Sequence, residues 1–348
     1  MISRQLLNIV MLVEIGLLVL AVCLFFAHGL WLFFYGRRLQ RLTASARDSL
    51  AHLATRGMVN VEEIEALRRL PHDVQVIAFL EMSRHLSGAA KERLTFVARQ
   101  VGVVDRARKL CESGRWSKRL RGARILSRLD VVDPLVQRLL SDPHPALRAQ
   151  AAEWAAAQPS VTVISAMLKL LADPATQARF AVQNALLRMG GVVAGPLATF
   201  LERHSGRAAE AGLRVAESLA EPSFGPAALR LSRGTDVGVR IAAARLLGAV
   251  GDAAGAERLI ELLDDADSSV RAAAAQGLGR MQHWKAASLL ASRLRDSAWR
   301  VRRAAGLALR SIGAPGVLFL RRALKGDDAF AADMAQQVLD LPAAAASA

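Results

Sequence analysis

From residue 9 to residue 35 the chain reads IVMLVEIGLLVLAVCLFFAHGLWLFFY, an apolar run in which Glu14 and His28 are the only ionisable side chains. As a helix this segment would extend roughly 40 Å, more than the ~30 Å hydrocarbon core of a bilayer requires. The pattern then changes. Leu39, Leu42, Ala46, Leu50 and Leu53 recur at intervals of three or four, the spacing of one apolar helix face, and predict an amphipathic helix continuous with the apolar one. Gly57 offers a stop, and Asn60 followed by Glu63 has the spacing of a capped restart for a short helix over residues 61–70, ended by Pro71. Period-two alternation is scarce beyond the N-terminal run, so the predicted fold is all-α.

The stronger pattern has a longer period. Asp142, Asp173, Asp265, Asp296 and Asp327 are related by multiples of 31 residues, with a slip of one residue across the middle of the series. Six residues after the first four stand Arg148, Arg179, Arg271 and Arg302, and Arg240 fits the same series with Gly234 in the place of its aspartate. The surrounding text repeats as ALRAQAAEWAAA, QARFAVQNALLRMG, VRIAAARLLGAVG, VRAAAAQGLGRM and VRRAAGLALRSIG, with a weaker copy, GRAAEAGLRVAESL, near Arg207. LRGARILSRL near Arg121 starts the series early. A period of this length predicts stacked helix pairs, each burying its apolar face only against its neighbours. One unit should comprise a helix over residues 256–263 and a second over 270–281. Ala273, Ala274, Ala304 and Ala305 would allow close approach, and Leu259, Leu262, Leu263 and Leu278 would fill the core. The last unit, over 329–341, carries Asp333 where the others carry arginine and adds Gln336 and Gln337, as a capping unit with a wetted outer face should.

These residues resemble the short, bilin-lyase-type HEAT-like repeat family, whose units run Asp, Val-Arg, paired alanines, then Leu-Gly. Asp265, Val270, Arg271, Ala272, Ala273, Leu278 and Gly279 match it closely, and Val301 to Ala305 with Ile312 and Gly313 repeat the match. The resemblance covers the chain well from about residue 130 and poorly over 89–129. It implies an α-solenoid preceded here by one membrane helix. It also implies a ladder in which the aspartate of each turn lies within reach of the next unit's guanidinium, built from Asp142, Arg148, Asp173, Arg179, Arg240, Asp265, Arg271, Asp296 and Arg302. Gly206, Gly234 and Asp333 interrupt it.

The expected organisation is a transmembrane anchor over 1–36, juxtamembrane amphipathic helices over 37–70, a basic helical region of degenerate repeats over 71–129, the solenoid over 130–341 and a disordered tail over 342–348. Charge changes the picture at the membrane. Trp31 and Tyr35 precede Arg37, Arg38, Arg41 and Arg47, an aromatic belt followed by a basic flank, whereas only Arg4 precedes the span. The expected topology is a single pass through a bacterial inner membrane, N-terminus outside and repeats in the cytoplasm. The run is too long for the apolar region of a cleaved signal peptide, and Val22 spoils the lipoprotein-like box ending at Cys23. Its length also permits Glu14 to sit at the outer interface, and His28 lies near the inner belt. The formal charge of +15, with Arg106, Arg108, Lys109, Arg115, Lys118, Arg119, Arg121 and Arg124 clustered, suits an acidic partner or anionic lipid headgroups.

Chemistry is sparse. Two cysteines far apart make neither a disulfide framework nor a zinc cluster. The histidines are scattered and none precedes a glutamate, no phosphate-cradling glycine loop follows a strand, and the glycines around 248, 251, 277, 279 and 313 read as packing or helix-end residues. No catalytic residue, metal or cofactor is expected, and the chain reads as a non-catalytic scaffold that binds a protein through its concave face. Helical geometry places Ala272, Gln276 and Arg280 outward on that face, with Phe180, Asn184, Arg188, Ile241, Arg245, Arg303, Leu307 and Arg310 at equivalent positions. This mixture of small, apolar and basic residues fits an acidic, partly apolar protein segment. A binder of nucleic acid or anionic surfaces is the second reading, disfavoured by the discontinuous basic track and scarce aromatics, and a bilin-lyase-like enzyme the third.

Overall fold

The computed structural model describes residues 4–56 and 61–342. The expected stop at Gly57, the cap at Asn60 and the tail beyond residue 342 lie outside them. Among the described residues the regular structure is entirely helical, and the chain divides into two compact units between Val131 and Val132.

In the first unit, α1 (Arg4–Arg56) is one continuous helix. Among the described side chains of its apolar half none is buried: Leu18, Phe25 and Phe26 are each about two-thirds exposed or more. Trp31 stacks on Tyr35 with ring centroids 5.3 Å apart, and the Arg37 guanidinium lies 4.3 Å from the centre of the Phe33 ring. One turn further on the helix acquires a core side. Thr43, Ala46, Leu50, Leu53 and Ala54 are buried against α3 (His72–Met82) and α4 (Gly88–Gln100). Between them α2 (Val61–Arg68) stops short of the expected residue 70, because the buried Gln75 amide donates to the carbonyls of Leu67, Arg68 and Leu70. Helices α5 (Val103–Cys111) and α6 (Trp116–Arg128) close the unit as a pair. Gly122 permits their contact, since a Cβ there would meet the Ala107 carbonyl at 2.5 Å.

The second unit is a stack of seven helix pairs. The first members are α7 (Leu135–Leu139), α9 (Val161–Lys169), α11 (Ala194–Arg203), α13 (Gly225–Leu231), α15 (Ala253–Leu262), α17 (Ala287–Ser292) and α19 (Ala314–Ala323). The second members are α8 (Pro145–Ala155), α10 (Thr176–Met189), α12 (Gly206–Leu219), α14 (Val237–Val250), α16 (Ser268–Arg280), α18 (Trp299–Ser311) and α20 (Ala329–Asp340). Helices α15 and α16 begin earlier than apolar spacing alone indicates because aspartates cap them: Asp252 accepts from the Gly255 N–H at 2.6 Å, and Asp267 from the Ser269 N–H at 2.7 Å. Successive second helices pack closely because the seam is built from small residues. A Cβ on Gly248 would lie 2.4 Å from the Gly277 Cα, and one on Gly279 2.8 Å from the Ala308 Cβ. The stretch Thr176–Arg203 is also long and apolar enough to cross a membrane, but it is α10, a 3₁₀ turn and α11, with 39% of its most apolar part buried.

Candidate partner-binding face

Two sets of arginines organise the stack, and they separate structural from available charge. The first runs along the turns within each pair. Arg148 donates through Nε and Nη2 to Asp173 at 2.6 and 2.8 Å, Arg240 to Asp265 at 2.9 and 3.0 Å, and Arg271 to Asp296 at 2.8 Å in both bonds. The pairing runs opposite to the expected sense: each aspartate is met by the guanidinium of the unit before it. The reason lies in the turn. Each arginine's Nη1 first donates to the backbone carbonyl of the Asp or Gly six residues earlier in its own unit, as Arg271 does to Asp265 at 2.9 Å. That anchors the guanidinium with its remaining edge toward the following turn, where Asp296 also accepts from the Ala298 N–H at 2.9 Å. Burial alone would raise the carboxyls of Asp173, Asp265 and Asp296, but the arginine bonds, the turn N–H and the nearby guanidinium charge outweigh it and hold all three below the usual range.

The ladder is incomplete, and the breaks do not fall simply at the expected glycines: the unit of Gly234 carries a complete Arg240 rung. Arg179 donates to the Asp173 and Pro174 carbonyls and to the Thr176 hydroxyl. Arg302 bonds the Asp296 and Ser297 carbonyls and lies 4.9 Å over the Phe330 ring, while Asp327 is exposed. Asp142 is buried and accepts from the His144 N–H at 2.9 Å. A second set escaped sequence reading. Arg230 donates to the Leu201 and His204 carbonyls, Arg258 to Ser232 and Arg293 to Asp264, each joining a first helix to the unit before it. Their spacing is irregular, so no period announces them.

The face formed by the second helices is a different environment. Phe180 is 61% exposed, and Asn184, Arg188, Arg245, Gln276, Arg280 and Arg303 are exposed, while Ile241 and Leu307 are half-buried. Two expected members change role. Ala272 is 7% exposed, so it forms part of the buried floor of a recess rather than open surface. Arg310 is half-buried and donates to the Val338 and Leu341 carbonyls, so it satisfies the end of the last helix. Arg280 of α16 reaches Glu217 of α12 at 3.6 Å.

Arg245, Gln276, Arg303 and Leu307 come together across α14, α16 and α18, where they line a cavity of about 290 Å³ with Ser269, Trp299 and Arg300. Phe180, Asn184 and Arg188 lie apart on α10. Sequence reasoning missed Trp299 and Arg300; extending the strip one turn before Arg303 would have found the tryptophan. Among the described residues no cluster of His, Cys, Asp or Glu has the geometry of a metal site.

A family model described as HEAT repeats matches residues 132–220, 225–310 and 256–340. Solved structures are similar at low identity. The Kap95:Nup1 complex matches with TM-score 0.50 and 11% identity over 84% of this chain and 51% of that one. An engineered protein matches with TM-score 0.40 and 20% identity, over 87% and 97%. The CpcE and CpcF phycocyanin lyase complex from a Nostoc species gives TM-score 0.37 and 22% identity, over 60% and 94%. This chain thus spans about half the length of the Kap95 chain. No curated protein matches the sequence.

Proposed function

The chain belongs to the HEAT-repeat family, and we propose that it is a membrane-anchored, non-catalytic scaffold that holds an acidic, partly apolar segment of a protein partner on the face of its second helices. The carrying observation is the division of labour among the arginines. Those of the ladder are consumed by carboxylates and carbonyls, while Arg188, on the same helix as Phe180, and Arg245 and Arg303, which line one cavity with Trp299, are exposed and engage no carboxylate among the described residues. Solenoids use such faces to bind extended partners, and Kap95 stands with a partner in its complex with Nup1.

The anchor rests on the exposed apolar side chains described in α1 and the order of its aromatic and basic residues. We place the repeats in the cytoplasm, with basic residues near an anionic leaflet contributing about 1 kcal/mol each. A periplasm-dependent phosphatase joined after Leu341 should be inactive and a cytoplasmic fluorescent reporter active; the reverse pattern overturns the topology. For binding, Phe180→Ala combined with Arg188→Glu, Arg245→Glu and Arg280→Glu should abolish capture of crosslinked partners from native membranes while helicity is retained. Recovery of the wild-type set of partners would sink the reading.

A further inference from the structure

We infer that the cavity between α14, α16 and α18 is a carboxylate-reading pocket, taking a glutamate or aspartate of the partner segment while an adjacent apolar side chain of that segment lies on Trp299 and Leu307. This deepens the scaffold reading and rests on it. The pocket arises from a break in the repeat. Ile241, Ala272 and Arg303 occupy equivalent positions 31 residues apart, as do Gly238, Ser269 and Arg300, and Val237, Ser268 and Trp299. At the first and third of these positions the middle helix carries a small residue where both neighbours carry larger ones, and α18 puts an indole and two guanidiniums at the edge of the space.

Arg245, Arg300 and Arg303 all line the cavity, and no lining residue is acidic. Elsewhere in the stack the exposed Arg214 and Arg280 face Glu210 and Glu217. Three like charges around one recess repel one another, and an entering oxyanion relieves that repulsion. The donors are partly oriented in advance: Arg300 Nη1 donates to the Ser269 hydroxyl at 2.7 Å, and the Arg303 guanidinium lies 5.7 Å from the Trp299 ring centre. Each guanidinium carries five N–H donors in a fixed fork, so both arginines keep donors for a carboxylate. Trp299 is 55% exposed, and Ala272, Ala273 and Ala304 complete an apolar floor. The volume lies at the lower bound of ligand pockets, roughly 300–1,000 Å³, a fit for one or two side chains. A nucleic-acid backbone suits it poorly, because the basic residues do not continue as a track and Glu217 stands beside Arg280.

The test uses the full chain in phosphatidylcholine nanodiscs and the anisotropy of labelled peptides that alternate glutamate with phenylalanine and leucine. The glutamate peptide should bind at least about tenfold more tightly than its glutamine analogue, the scale of one charge-assisted contact. The paired change Arg300→Gln with Arg303→Gln should remove that preference. Ala272→Ile, which copies Ile241 into the gap and leaves every charge in place, should weaken binding by a similar factor, with circular dichroism verifying the fold. Absence of glutamate-peptide binding, equal binding of the glutamine analogue, or preferential binding of a phosphoserine peptide or a DNA strand overturns the pocket; so does unchanged binding in both variants. If the pocket variants still capture partners from native membranes while the Phe180 and Arg188 variants lose them, the pocket is wrong and the scaffold reading survives.

Discussion

Replacing Arg271 by alanine removes one complete rung and measures what the ladder contributes. The Arg271 and Asp296 side chains are 15% and 6% exposed, and two bonds of 2.8 Å join them. Breaking a buried pair by deleting one partner costs about 3–5 kcal/mol. Asp296 keeps the Ala298 N–H at 2.9 Å and the nearby positive charge of Arg293, and the freed carbonyls of Asp265 and Ala266 lie at a turn that water can reach. The expected cost is therefore about 2–3 kcal/mol. A repeat array need not unfold in one step, so the suitable readout is local. Amide exchange in α16 and α18 should accelerate roughly 30- to 150-fold, the factor equivalent to that energy, while α8 and α10 stay protected. A double-mutant cycle with Asp296→Ala should return a coupling of about 1–3 kcal/mol. Exchange in the two helices altered by less than about threefold, together with no coupling, would show that the rung does not hold the units together.

Three further outcomes follow from the same contacts. Asp173, Asp265 and Asp296 have carboxyls held below the unfolded value of about 3.9, so their contribution is constant above about pH 5 and is lost as pH falls through the lower folded values. Exchange protection in the stack should be flat from neutral pH to about pH 5 and fall below about pH 4, and combined Asp→Asn variants should flatten that fall. Gly248→Ala would press a Cβ against the Gly277 backbone, which cannot rotate away, and should cost about 1–3 kcal/mol or more in thermal unfolding; Gly195→Ala, with nothing within 4 Å, should be neutral or stabilising by about 0.5–1 kcal/mol. Arg310→Ala should fray α20 alone, seen as rapid amide exchange after residue 329 with the ladder turns unchanged, because its guanidinium serves only the carbonyls at that helix end.

Much of the fold was legible because it is written locally and then repeated. The spacing of Leu39, Leu42, Ala46, Leu50 and Leu53 announced the helix that continues the apolar run, and the Asp and Arg period announced stacked pairs, since each pair must bury the same stripe against the next. Helix starts were misjudged by a few residues where Asp252 and Asp267 supplied caps that apolar periodicity does not register. The face was read as positions on a helix, and that holds for Phe180, Arg245 and Gln276, whose exposure follows from rotation about one axis. What rotation about one axis cannot decide is where a long side chain goes. Arg303 and Arg310 lie two turns apart on α18, yet one stays on the open face and the other bends into the carbonyls of the last helix. The sense of the ladder depends on the turn carbonyls that anchor each guanidinium, and the burial of Ala272 and the recess beneath Trp299 depend on how far each second helix stands from its neighbour. That distance is set by contacts such as Gly248 against Gly277, between residues 29 positions apart. Sequence alone determined the helices, their pairing and the apolar segment of spanning length; only the tertiary structure decided which arginines are consumed in holding the stack and which remain exposed on the second-helix face.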